Sequence, residues 1–191
     1  NAILTSTPLT PLSRLSNLVE LSLGTYRGDP PNLESFQLLT NLRKLTISTY
    51  KTELDLRHIA GIIGLTALHI KSRIVPNSLE SLARLSNLSE LSIPIPVNSG
   101  DLAVLAALTK LTDLELEIGS NPDFEGLTPL KNLRALKIKS RNSLNIHSIS
   151  VLNQISLLDL SQCKIDDITP ILNLTKLTDL KLPYQHGLNL E

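Results

Sequence analysis

Charged residues in the second half of the chain recur at a fixed step. Glu115, Lys137, Asp159 and Lys181 alternate in sign at intervals of 22 residues. Asp113, Glu115 and Glu117 form an acidic set, and Lys137, Lys139 and Arg141 a basic set one step later. His69, Lys71 and Arg73 form an earlier basic set. A spacing of two places side chains on one face of an extended strand, so each set reads as a stripe. The chemistry on offer is ion pairing. It can be spent internally, as a solvated ladder in which each pair contributes at most about 1 kcal/mol. It can equally face a partner whose charges complement the stripes. Both readings fit the residues.

Nothing else in the sequence favours catalysis. His58, His69, His147 and His186 stand in different segments, with no partner at metal-ligand spacing. There is no Gly-rich phosphate loop, and no Ser–His–acid or Cys–His arrangement is suggested. The lone Cys163 fits a buried hydrogen-bonding role better than a reactive one. The reading is a non-enzyme with no cofactor and no metal. Asn87-Leu88-Ser89 and Asn173-Leu174-Thr175 match the glycosylation sequon, but they fall on a repeated pattern and say little about compartment.

That pattern supplies the elements that position the stripes. The block L-x-x-L-x-L begins at Leu18, Leu42, Leu65, Leu88, Leu111, Leu133, Ile155 and Leu177, at intervals of 24, 23, 23, 23, 22, 22 and 22 residues. A fixed period of this length is the mark of a repeat array. In L-x-L the two apolar residues share one face of a strand, and no single repeat can bury them. Stacking the strands in parallel makes one continuous core. Strand neighbours need about 4.8 Å and returning helices about 10 Å, so the sheet must lie inside a bend. The residue between the leucines then lines that concave face: Ser22, Thr46, His69, Ser92, Glu115, Lys137, Asp159 and Lys181. Helices are predicted within the return segments 32–40, 55–63, 77–85 and 101–108, with Asn77 and Glu80 as a capping pair. The returns carrying Pro129 and Pro170 are shorter and predict a turn or two of tight helix.

The repeats resemble the leucine-rich repeat family over almost the whole chain. The 22-residue copies, with Ile-Thr-Pro-Ile-Leu-Asn-Leu-Thr-Lys-Leu at 168–177, are most similar to the bacterial internalin type. The resemblance implies an α/β solenoid shaped as a horseshoe, with the parallel β-sheet concave and helices or 3-10 turns convex. It also implies Asn or Cys three residues after the last strand leucine, bonding neighbouring turns. Those positions hold Tyr26, Tyr50, Arg73, Pro96, Gly119, Arg141, Cys163 and Gln185, so only Cys163 conforms. Much of that ladder is therefore expected to be missing. Tyr26, Tyr50, Arg73 and Arg141 would instead make one rim, and Tyr and Arg are residues that anchor interfaces. The tyrosines can equally be filling the vacant ladder positions.

The chain of 191 residues reads as a single repeat domain, 1–191, with no linker. A net charge of zero argues against a nucleic-acid or anionic-membrane partner. No apolar run reaches membrane-spanning length and no signal-peptide pattern is present. One cysteine excludes an internal disulfide and favours a cytoplasmic setting, with a bacterial surface or secreted location as the alternative. There is no Met, and counting 22 back from Leu18 puts an earlier strand block upstream of Asn1. Neither end looks like a polar cap. A piece of a larger protein is expected, with Leu190-Glu191 read equally as native or as a remnant of a tag. As an isolated chain it is expected to be a monomer or to associate weakly end to end.

Together these give a protein–protein recognition module. The residues expected to bind are Tyr26, Tyr50, His69, Lys71, Arg73, Asp113, Glu115, Glu117, Lys137, Lys139, Arg141, Asp159 and Lys181. The family resemblance implies several settings: a bacterial adhesin or injected effector, the sensor end of a nucleotide-switch (NACHT/STAND-type) immune receptor, or the substrate-recognition part of a ubiquitin ligase. A spacer with no ligand is the remaining class.

Overall fold

In the computed structural model, residues 2–3, 10–25, 33–50, 52–119 and 122–184 are described. Every L-x-L block is a strand. β1 is Ala2–Ile3, β2 Glu20–Thr25, β3 Lys44–Thr49, β4 Ala67–Lys71 and β5 Glu90–Val97. β6 is Asp113–Ile118, β7 Ala135–Ser143, β8 Leu157–Lys164 and β9 Asp179–Lys181. The sheet order follows the chain, β1 to β9, and every described pairing is parallel, as in Leu21↔Leu45↔Leu68↔Leu91. The repeat count put an earlier strand block upstream of Asn1; the structure places a strand, β1, within the chain, where Ala2 pairs with Leu23. The architecture is an α/β solenoid of short strands and tight returns. The chain divides into two compact units, Asn1–Ile93 and Pro94–Glu191.

In the first unit the anchors Leu42, Leu65 and Leu88 and the inward strand residues Leu45, Ile47, Leu68, Ile70 and Ile93 are fully buried. Phe36 fills the space behind them. In the second unit Leu111, Leu133, Ile155, Leu116, Leu136, Ile138, Leu158 and Leu160 take the same places, with Phe124 behind. Fully burying one such side chain is worth roughly 1.5–3 kcal/mol, so these rows set the register.

The returns depart from the predicted helices. Among the described residues only Ser99–Leu105, here α1, is α-helical, overlapping the helix predicted at 101–108. The segments predicted at 32–40, 55–63 and 77–85 form 3-10 turns at Glu34–Leu38, Leu56–His58 and Leu79–Arg84. A 3-10 turn rises about 2.0 Å per residue against 1.5 Å for an α-helix, so it crosses the layer with fewer residues. Asn77 is no cap; it takes a left-handed φ of 59°. The capping box lies instead at Asn98 and Asp101 of α1. The later returns are tight as predicted: Phe124–Leu127, His147–Val151 and Thr169–Asn173. Gly126 permits the first of these to sit close to α1, since a Cβ there would lie 3.1 Å from the Ala103 nitrogen.

The ties between repeats lie largely where the family pattern does not place them. At the strand starts one carbonyl accepts two backbone N–H groups from the next repeat. Arg43 O takes Thr66 and Ala67, and Arg134 O takes Ser156 and Leu157, all at 2.8–3.0 Å. Amide side chains just before the anchors reinforce them: Asn41 donates to Ser16 O, Asn87 to Ile63 O, Asn132 to Thr109 O and Gln154 to Leu130 O. This second ladder satisfies turn carbonyls that would otherwise need water. The sequon residue Asn87 is thus already a structural donor.

Candidate functional site

Within the second unit the register brings the alternating charges together as the spacing predicted. Glu115 lies beside Lys137, Lys137 beside Asp159, and Asp159 beside Lys181. The actual pairs are more local. Lys139 Nζ sits 2.6 Å from Glu115 Oε1 and Lys137 Nζ 3.5 Å from the same oxygen. Arg141 Nε reaches Glu117 at 3.0 Å, and Lys181 Nζ reaches Asp159 at 3.7 Å. The acidic and basic stripes therefore neutralise each other, once in register through Lys137–Glu115 and twice diagonally through Lys139–Glu115 and Arg141–Glu117. Asp113 is exposed beside them and accepts a hydrogen bond from the Thr112 hydroxyl.

Two details correct the sequence reading. Asp159 is not an exposed rung; it is 7% exposed. Its Oδ1 accepts from the Ser161 N–H at 3.0 Å and from the Ser161 hydroxyl at 2.6 Å. That local turn competes with the ladder and adds a residue to β8, so Lys139 lies beside Gln162 rather than Ser161. Burial alone would raise the Asp159 carboxyl. The hydrogen bonds from Ser161 and the charges of Lys181 and Lys137 outweigh it and hold the carboxyl below its ordinary value. The extra residue also turns Cys163 inward, where Sγ donates to Ile138 O at 3.2 Å. Burial, with the Asp159 charge, pushes that thiol up to about 11, so at neutral pH it is a protonated donor and a poor nucleophile.

The first unit is built differently. The mid-strand row Ser22, Thr46, His69 and Ser92 is in register and half-buried. Polar pairs sit at its lower margin: an ion pair of Lys44 and Glu20 at 3.4 Å, and a hydrogen bond between His69 Nε2 and the Glu90 carboxylate at 2.9 Å. At the upper margin Lys71 and Arg73 are exposed, and Tyr50 is 65% exposed. Tyr26, the other predicted rim residue, lies outside the described residues.

Two residues that the sequence reading passed over hold this margin together. Thr49 and Ser72 are buried polar residues, and the Thr49 N–H donates to Ser72 Oγ at 2.7 Å. Each sits two places after a strand's last inward apolar residue, one place short of the family's ladder position. Ser140 occupies the same place in the second unit and donates to Ile118 O at 3.2 Å. A Ser or Thr at this offset in four repeats, at positions 25, 49, 72 and 140, was the available signal.

A cavity of about 300 Å³ in the second unit is lined by Ser143, Asn145, His147, Asp166, Asp167 and Pro170. Its polar groups bond each other and the turn: the Ser143 hydroxyl pairs with Asp166, and Asp167 accepts from the Thr169 N–H at 2.8 Å. Among the described residues no group of His, Cys, Asp and Glu is arranged to hold a metal ion. No described helix is long and apolar enough to cross a membrane.

No protein-family model matches the sequence, and no curated protein matches it. Solved structures do. An internalin from Listeria monocytogenes superposes with a TM-score of 0.70 at 26% identity, over 94% of this chain and 52% of its own. Internalin C2 from the same organism gives 0.69 at 25% identity, over 93% of this chain and 76% of its own. A leucine-rich-repeat protein of Leptospira interrogans gives 0.53 at 19% identity, over 95% of this chain and 58% of its own. That last likeness is one of fold alone. This chain spans about half the length of the first of the three.

Proposed function

Because this chain is built of leucine-rich repeats of the internalin-like pattern, we propose that it is a non-catalytic recognition module. It binds a protein partner on the exposed face of its sheet and the adjoining strand ends. One observation carries the reading: the outward side chains stand in register on backbones already fixed by sheet hydrogen bonds. Glu115↔Lys137↔Asp159↔Lys181 is such a row, and Ser22↔Thr46↔His69↔Ser92 is another. A surface ordered before the partner arrives loses little entropy on binding. The set at issue is Tyr26, Tyr50, His69, Lys71, Arg73, Asp113, Glu115, Glu117, Lys137, Lys139, Arg141 and Lys181, with the buried Asp159 serving to hold Ser161 and Lys181.

We place the module in a bacterial protein, as part of a longer chain. The likeness to internalins supports a surface or secreted setting, and the single buried, unpaired cysteine supports a cytoplasmic one. The sensor end of a nucleotide-switch receptor is a second reading; the open face of the first unit suits a ligand sensor equally well. The test compares affinity capture by two charge-reversed variants. One carries Lys71→Glu, Arg73→Glu, Lys137→Glu and Lys139→Glu on the sheet face. The other carries Arg84→Glu and Lys131→Glu on the return side. Loss of bound proteins from the first alone supports the reading; loss from the second alone, or from neither, contradicts it.

A further inference from the structure

Resting on that recognition reading, we infer that Tyr50, Lys71 and Arg73 of the first unit form a docking point for an acidic segment of the protein partner. The geometry begins with the buried bond from the Thr49 N–H to Ser72 Oγ at 2.7 Å. Tyr50 follows Thr49, and Lys71 and Arg73 flank Ser72, so one bond holds the backbones of all three. The Thr49 hydroxyl donates to Thr52 O at 2.6 Å and closes a turn that carries Tyr50 outward. The Leu54 N–H donates to Arg73 O at 2.8 Å, and the Val75 N–H donates to Leu54 O at 3.0 Å, which fixes the Arg73 side. Lys71 stands in register beside Ser48, a residue too small to cover it.

The electrostatics separate this edge from the other charges singled out in the sequence. His69, Lys137, Lys139, Arg141 and Lys181 each have a carboxylate partner within the chain. Among the described residues Lys71 and Arg73 make no ion pair, and Glu53, exposed on the adjoining turn, is paired with neither. Two exposed cations and an exposed tyrosine on backbones tied to one another suit carboxylates carried on a peptide, because the charges are not already spent and Tyr and Arg anchor contacts well. A nucleic acid would want a longer basic track, and the chain's net charge is zero.

A synthetic Glu-rich peptide titrated into the 15N-labelled chain tests this by amide chemical shifts. Lys-rich peptide and single-stranded oligonucleotide form parallel arms. The Glu-rich peptide is expected to move signals of residues 49–50 and 71–73. Its apparent affinity should fall about tenfold in Lys71→Glu/Arg73→Glu, weaken with salt, and persist in Lys137→Glu/Lys139→Glu. Unchanged unfolding of the first variant, whose altered side chains are exposed, shows that the loss is not a folding defect. Shifts centred elsewhere, indifference to the reversal, or an equal response to either other probe overturns the inference. If the capture experiment above implicates the sheet face while the peptide ignores this edge, the docking point is wrong and the recognition reading stands.

Discussion

At mid-strand the first unit presents Ser22, Thr46, His69 and Ser92, where the second presents Glu115, Lys137, Asp159 and Lys181. Behind these rows the two units are alike: fully buried leucine and isoleucine ladders, with one phenylalanine each, Phe36 and Phe124. The second unit consumes its charge locally, Glu115 alone answering both Lys137 and Lys139. The first joins its strand ends with an uncharged bond between Thr49 and Ser72 and leaves Lys71 and Arg73 facing outward. The apolar skeleton can thus be held constant while the outward positions vary between self-pairing and availability. In a solenoid this separation is natural, because each outward residue contacts only its neighbouring repeats.

The largest expected effects test the shared half of this comparison. Leu68→Ala and Leu136→Ala, one in each unit and both fully buried, should each cost about 2–5 kcal/mol in urea unfolding. A negligible cost at either position would show that the skeletons are not equivalent. Next comes the polar tie of the first unit. Ser72→Ala leaves the buried Thr49 N–H without its acceptor and should cost about 1–3 kcal/mol. Exchange of the Thr49 amide with deuterium reads the same loss directly.

Smaller effects fall on the second unit. The Asp159 carboxyl is held below its ordinary value in the folded chain. The native state therefore binds fewer protons there than the unfolded state, and stability rises with pH across that window. The contribution is complete above the unfolded value of 3.8 and is lost as pH falls through the lower native value. An acid titration of unfolding should be less steep in Asp159→Asn; an identical profile would remove Asp159 from the account. Cys163, with its thiol raised to about 11, should resist thiol reagents at mildly alkaline pH until the chain unfolds. Rapid labelling of the native chain would contradict its burial.

Much of the skeleton was legible beforehand because a period-22 pattern with two apolar residues per strand admits only one register. Glu115, Lys137, Asp159 and Lys181 were aligned correctly for that reason. The helix predicted within 101–108 was legible, but the 3-10 character of the other three returns was not, since 3.0 and 3.6 residues per turn scarcely diverge over the five residues of a return such as Glu34–Leu38. The extra residue in β8 was hidden because it comes from one side chain, Asp159, capturing the Ser161 N–H. Thr49 and Ser72 were not legible as ties because the family pattern places its ladder residues one position later, at Tyr50 and Arg73. Which charges pair and which stay open depended on side-chain reach, as with Lys139 choosing Glu115 over its register neighbour Glu117, and no spacing rule encodes that.

The most direct measurement sets the two charge-reversed pairs side by side in low-salt unfolding. Lys137→Glu/Lys139→Glu replaces attraction to Glu115 with repulsion and should lower stability by about 1 kcal/mol, with the deficit shrinking as salt is added. Lys71→Glu/Arg73→Glu should leave stability within about 0.5 kcal/mol of the parent at every salt concentration. Equal losses in the two variants, or a loss confined to the Lys71/Arg73 pair, would contradict the claim that Lys71 and Arg73 are uncommitted while Lys137 and Lys139 are spent on Glu115.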